Sequence, residues 1–358
     1  MKRRMILAIV SVLLVIELPY FCAAQAGVEN SSMNPLQIAL LHWYDANQTA
    51  SFSIPGSIPY GIAFDGANIW IANGVFEGSV TTLRASDGAC VGTCTFAVEI
   101  QAAAVAFDGT NIWVANSGSN TVTKLRASDG ACNGVVNPPT VLACSFGVGV
   151  SPAALAFDGV NIWVANSSSN SVSKLRASDG ACNGVINPPT VTACSFAVGV
   201  NPTSLLFDGT NIWVANLDGC SVDRLGPDGR LIQTIQGFSF PDGLAFDGAN
   251  IWVTNNNSGS VTKLSPRKGS WVNYASVTYS VGPSPRGVAY DGANVWVANG
   301  AGDTITKLRA SDGACNGIVN PPSLTACSFR VGASPVAVAF DGANMWVANQ
   351  ESGTVSKL

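Results

Sequence analysis

One motif recurs seven times along the 358 residues, and it leaves a chain of this length few folds to choose from. The string Phe-Asp-Gly-x-Asn-(Ile/Val/Met)-Trp-(Val/Ile)-(Ala/Thr)-Asn, with Tyr for Phe once, centres on Trp70, Trp113, Trp163, Trp213, Trp252, Trp296 and Trp346. Successive tryptophans are 43, 50, 50, 39, 44 and 50 residues apart. The third copy reads as four short strands, Ala153–Phe157, Asn161–Ala165, Ser171–Leu175 and Cys194–Val198. Asp158-Gly159 between two apolar runs is a hairpin signal. Four antiparallel strands per period predict one β-propeller blade, and seven periods predict an all-β, seven-bladed propeller.

The ends of the array fit a closed ring. The last unit stops at Leu358, after its third strand, while Ala50–Ile54 before the first unit resembles a fourth strand. The N-terminal strand is therefore expected to complete the last blade and remove an open edge. In strand two, Ile162 and Val164 alternate with Trp163 and Ala165, and both sets are apolar, which suits a sheet sandwiched between neighbours. That pattern accounts for 47% hydrophobic residues beside only 11% charged, where a globular domain averages about 25% charged. It also favours stacked sheets over a membrane protein.

Lys2-Arg3-Arg4, the apolar run Met5–Ile16 and the A-x-A site Ala24-Gln25-Ala26 have the order of a secretory signal. Residues 1–26 are expected to be removed, with the product secreted or periplasmic. Cleavage after Ala26 leaves 15 basic and 21 acidic residues, a net −6 that disfavours nucleic acid as a partner. No later stretch is long enough to span a bilayer. Residues 27–49 form an extension in which Asn34-Pro35 opens a short helix to about Asp45, and residues 50–358 form the propeller. A monomer is expected.

Cys132/Cys144, Cys182/Cys194 and Cys315/Cys327 share one spacing at one place in three units, and Cys90/Cys94 is a shortened version. In an oxidising compartment these read as four within-blade disulfides. The only histidine, His42, lies outside the array, which disfavours a zinc site. Cys220 is left as a free thiol at the place held by Asn120 and Asn170 in other units.

Features repeated seven times read as architecture. The aspartates of the Asp-Gly turns are turn formers, and the asparagines ending strand two are expected to bond neighbouring-blade backbone. Departures from the repeat are better site candidates. After the strand-one proline the units show Tyr60, Ala103, Ala153, Thr203, Asp242, Arg286 and Val336, so Tyr60, Asp242 and Arg286 stand out. In the loops between strands two and three the departures are Phe76, Glu77, Asp218, Asp303 and Glu351. Closure is expected to gather Glu351, Glu77, Phe76 and Tyr60, and Asp242 to pair with Arg286.

The unit Phe157–Leu175 resembles the YVTN/NHL-type bacterial β-propeller repeats of secreted and cell-surface proteins, over residues 50–358. The same superfamily holds the virginiamycin B (streptogramin) lyases and lactonase-like propellers. Lyase units read P-H-G-I-A followed by W-F-T-E, and the resemblance implies a catalytic His and an acidic residue at those places. Here the matching positions carry Asp242 and Asn255, and another copy has Tyr60 in the His place, so the lyase histidine is missing. The expected function is a non-catalytic scaffold binding a protein, peptide or glycan, with no cofactor. The alternative is a lyase-like or lactonase-like enzyme with a divalent cation at the channel mouth.

Overall fold

The computed structural model describes residues 49–358, apart from 55, 56, 91, 189, 191, 268 and 322. The signal segment, the Pro35 helix and His42 lie outside the described residues. Thr49–Leu358 forms one compact unit of seven four-stranded antiparallel sheets. Blade three is representative, with strands Pro152–Phe157, Asn161–Asn166, Ser171–Arg176 and Ser195–Ala197 in that order from the ring axis outward. First strands of successive blades lie side by side around a central channel, blade seven against blade one included. Ala50–Ser53 supplies the outer strand of blade seven, pairing antiparallel with Thr354–Lys357 through Ala50↔Lys357 and Phe52↔Val355. None of the described helices is long and apolar enough to cross a membrane.

The core lies between the blades. Ile162, Trp163, Val164 and Ala165 are all fully buried, because both faces of strand two meet another sheet. Each turn aspartate then explains its own recurrence. Asp158 Oδ1 accepts the backbone N–H groups of Val160 (2.8 Å) and Asn161 (2.6 Å), and Oδ2 accepts the Trp163 indole N–H (2.7 Å). The same aspartate–indole bond is made in all seven blades. Burial alone would raise the carboxyl of Asp158, but the donors from Trp163, Asn161 and Val160 outweigh it and hold the group below its ordinary value. A carboxyl depressed in the folded state adds stability above its unfolded value, and that stability is lost as pH falls through the folded value. Asp158→Ala should therefore cost about 2–3 kcal/mol at neutral pH, as the buried indole loses a charged acceptor. Guanidinium unfolding at pH 7 and again near pH 3 checks this: the deficit of the variant should shrink in acid.

The strand-two asparagines behave differently from expectation. Asn166 Nδ2 donates to Ser171 Oγ (3.2 Å) and Ser173 Oγ (3.0 Å) on strand three of its own blade, not to a neighbour's backbone. Own-blade hydroxyls serve all seven asparagines. The hairpin register sets Asn166 opposite Ser171, so the hydroxyls are nearer than any adjacent blade. The loop entering the blade then crosses directly over the amide; a Cβ on Gly149 would lie 2.6 Å from the Asn166 amide carbon.

The cysteines pair as read: Cys90–Cys94, Cys132–Cys144, Cys182–Cys194 and Cys315–Cys327, with Cα separations of 5.5–5.7 Å. Four disulfides fit an extracellular or periplasmic location. The three long stapled loops have a second role. Asn187 Oδ1 accepts Gly147 N–H (3.1 Å) and its Nδ2 donates to Ser145 O (3.1 Å), capping the outer strand of the preceding blade. Asn137 does the same to Thr95 and Ala97, and Asn320 to Thr278 and Ser280. Unpaired strand edges are thereby blocked at three blades.

Candidate functional site

The loops before strand one and those between strands two and three share one rim, and charge is distributed unevenly there. Glu77, Glu99, Asp218, Asp303 and Glu351 stand in these loops, which contain no Lys or Arg among the described residues. On the far rim the aspartates of the longer turns are paired instead, as in Arg84–Asp87, Arg126–Asp129, Arg176–Asp179 and Arg309–Asp312. The first rim is thus the acidic face.

Several departures on this rim have structural duties. Asp303 takes a left-handed conformation (φ +51°), and its Oδ1 accepts Ser334 N–H (3.0 Å) in the loop entering blade seven. Asn120 and Asn170 do the same toward Ser151 and Asn201. Cys220 occupies the equivalent left-handed position at φ +49° and is free, without that side-chain tie. Asp218 accepts the Asn201 amide (3.0 Å). Phe76 is 76% exposed, and Glu77 and Glu351 are exposed as well. Tyr60 lies over Gly74 of its own blade. No hydrogen bond, ion pair or ring contact joins any two of Tyr60, Phe76, Glu77 and Glu351 among the described residues; Tyr60, Phe76 and Glu77 belong to blade one and Glu351 to the adjoining blade seven.

What the fold does gather is an arc at the channel mouth across blades four to seven. Pro202, Pro241 and Pro285 open the first strands of blades four, five and six, which places Thr203, Asp242 and Arg286 next to one another. Thr203 Oγ1 donates to Asp242 O (3.2 Å). Asn256 Nδ2 reaches Asp242 Oδ2 (3.5 Å) and Pro285 O (3.4 Å). Arg286 Nη1 donates to Gln350 Oε1 (3.4 Å) from blade seven, while its Nε is buried without an acceptor. Thr254 fixes the floor, accepting Gly243 N–H (2.7 Å) and donating to Arg286 O (2.8 Å). Asp242 and Arg286 feel each other's charge but form no ion pair; the four ion pairs among the described residues are all on the far rim. Burial pushes the Asp242 carboxyl above its ordinary value, and the Arg286 charge and the Thr203 and Asn256 donors only partly offset it. Facing the arc across the channel are the small Ala103 and Ala153.

This donor set does not suit a divalent cation. No three of His, Cys, Asp and Glu group together among the described residues, and the one recessed carboxylate has a guanidinium beside it. Asn256, Gln350 and Thr254 were not singled out in the sequence. The signal existed: the residue after the strand-two asparagine is Gly, Ser or Leu in five blades but Asn256 and Gln350 in two, and Thr254 replaces an alanine found in the other six.

No protein-family profile matches the chain, and no curated protein matches it. Solved structures do. A streptogramin B lyase superposes with a TM-score of 0.63 at 16% identity, covering 87% of this chain and 96% of the lyase. The fold is that of the virginiamycin B lyase propellers. A catalytically inactive virginiamycin B lyase from Staphylococcus aureus with quinupristin gives 0.63 at 14% identity, over 87% and 98% of the two chains. A chain of Kuenenia stuttgartiensis hydrazine synthase gives 0.67 at 19% identity, over 86% and 97%. One virginiamycin B lyase-like framework is therefore shared by proteins named for different reactions, and the assignment to this fold says nothing of activity.

Proposed function

We propose that this chain is a secreted, non-catalytic binding propeller that holds a neutral glycan or a basic peptide over its channel mouth. The observation that carries the proposal is the arc Thr203–Asp242–Asn256–Arg286–Gln350, five polar side chains brought together from four blades with hydrogen-bonding capacity left over. Planar amide, carboxyl and guanidinium groups in one arc suit hydroxyl-rich or peptide ligands. The acidic loops disfavour polyanions, nucleic acid included. No histidine is present in the ring to act as a general base. Binding of the purified mature protein to arrays of neutral glycans and basic peptides tests this. Arg286→Ala and Gln350→Ala should each weaken the captured ligand at least tenfold, a loss of about 1.4 kcal/mol. Asp242→Asn should weaken a basic peptide and spare a neutral glycan. Binding untouched by all three substitutions would place the ligand elsewhere.

One observation favours a second reading, an enzyme of lyase or lactonase type. Asp242 is a recessed carboxyl held toward its protonated form, the state a proton donor needs. Turnover of a streptogramin B or a simple lactone, abolished by Asp242→Asn, would replace the scaffold reading with this one.

A further inference from the structure

The far rim repeats one device between blades. A strand-three lysine lies over its own blade's indole and donates to main-chain carbonyls of the turn after strand three in the next blade. Lys124 stands 5.4 Å from the Trp113 ring centroid and reaches Ala177 O and Ser178 O, both at 2.8 Å. Lys174 stands 4.9 Å from Trp163 and reaches Pro227 O at 2.6 Å. Lys263 and Lys357 repeat this toward Ala310 and Ser311 and toward Ala85 and Ser86. A glycine of the same turn packs on the aromatic ring of the preceding blade's outer strand; Gly180, at φ +73°, leaves no room for a Cβ against Phe146.

Blade four breaks the pattern on both counts. Its cation is Arg224, 5.9 Å from the Trp213 centroid. Blade five offers no turn to receive it, because its third strand runs on to Arg267 and returns as the eleven-residue strand Ser270–Ser280. The outer strand of blade four also lacks the usual aromatic, having Ile235 there, and Trp271 from blade five packs edge-on against Trp213 at 4.6 Å instead. Arg224 is left 9% exposed with no hydrogen bond to any described residue, its Nε sealed and unpartnered. Gln233, opposite it on the outer strand, makes no bond to it. The carboxylate whose charge acts on Arg224, Asp208, already accepts the Trp213 indole, the Asn211 amide and two backbone N–H groups. A cleft of about 470 Å³ opens at this point, lined among others by Arg224, Asp208, Asn211, Phe246 and Trp271.

A guanidinium whose Nε is sealed without an acceptor is costly, and four other blades set main-chain carbonyl oxygens against the corresponding cation. We propose that the cleft between blades four and five is a second binding site, taking a carboxylate-bearing ligand whose carboxylate pairs with Arg224 while its apolar body rests on Trp271. Guanidinium and carboxylate match as a two-bond fork, and the half-buried indole supplies a flat apolar wall. This site is independent of the channel mouth and lies on the opposite rim.

Titration of the mature protein with N-acetylphenylalanine, followed by indole fluorescence, tests the proposal against the uncharged N-acetylphenylalaninamide. The acid should give a saturable change at least tenfold tighter than the amide, and Arg224→Gln should remove that preference while Arg224→Lys keeps part of it. Trp271→Ala should weaken the acid without restoring binding of the amide. The thermal midpoint of the unaltered protein is a second readout needing no variant: it should rise with the acid and not with the amide. A tripeptide ending in the same residue separates two sources of the carboxylate, binding more tightly than the amino acid if peptide C-termini are the ligands and equally if small acids are. No saturable response to the acid, or equal responses to acid and amide, would overturn the site.

Discussion

Replacing Phe52 with aspartate should open the ring. Blade seven joins strands from the two ends of the described residues, and its outer strand is held by four register pairs from Ala50↔Lys357 to Ser53↔Thr354. Phe52 anchors that strand. Its ring stacks on Trp346 with centroids 5.5 Å apart, and Gly88 of blade one's turn, at φ +71°, packs on its other side. One side chain thus packs the closing strand onto both the Trp346 indole of blade seven and the turn of blade one, in the one blade whose outer strand no loop ties to its third strand among the described residues. Aspartate removes the aromatic contact and sets an unpaired charge against the Trp346 indole. Large-to-small changes at packed aromatics cost about 3–5 kcal/mol, and the stranded charge adds to that. At about 2–4 °C per kcal/mol for domains of 150–250 residues, and less per kcal/mol in a larger ring, the thermal midpoint should fall by about 10 °C. Hydrogen exchange should locate the loosening in blades seven and one, while Phe52→Tyr, which keeps the ring, should stay near the parent. A variant with an unchanged midpoint would mean the seam is held elsewhere.

The closing strand was legible because it is a fragment of a repeat read seven times, and a missing fourth strand at one end matched a surplus one at the other. Repetition carried most of the architecture in the same way. The turn aspartates, the two-sided apolar strands and the cysteine pairs each occur at fixed places, so chance resemblance was excluded by number. The candidate site was legible only in part, for a physical reason. Departures from a repeat mark where the ring is not symmetric, but they do not say whether a residue breaks symmetry to bind something or to repair the ring. Asp303 repairs: it does the work of Asn120 with a carboxylate. Trp271 repairs as well, filling the gap left by Ile235, while it also lines the cleft beside Arg224. Asp242 and Arg286 lie on adjacent blades without forming the expected ion pair, and the side chains that complete their environment, Asn256 and Gln350, come from loops whose reach only coordinates reveal. The asparagine ring shows the opposite failure. Its hydroxyl partners were visible as alternating Ser and Thr on strand three, but the pairing depends on hairpin register, which a single strand does not state.

Reduction of the disulfides should be the most damaging treatment of this protein. Loop-closure entropy assigns about 3 kcal/mol to each of the three long staples and about 2 kcal/mol to Cys90–Cys94, together about 11 kcal/mol. Natural domains hold about 5–15 kcal/mol in all, so a reduced chain should be close to unfolding. The loss should be graded, because the staples differ in what they support. Cys182–Cys194 closes the loop that carries Asn187, and Asn187 caps the outer strand of the preceding blade through Gly147 and Ser145. The paired substitution Cys182→Ser with Cys194→Ser should thus cost about 3 kcal/mol and also raise exchange of the Gly147 amide in the preceding blade. Cys90–Cys94 has no such asparagine between its cysteines, and its removal should stay local. Guanidinium unfolding of the parent with and without a phosphine reductant measures the whole effect, and the two paired variants measure its parts. Asn187→Ala in the oxidised protein separates the cap from the staple, since it should free the Gly147 amide while leaving the loop closed. A reduced parent as stable as the oxidised one would show that the interlocked sheets hold the ring by themselves, and would remove the physical reason for an oxidising compartment.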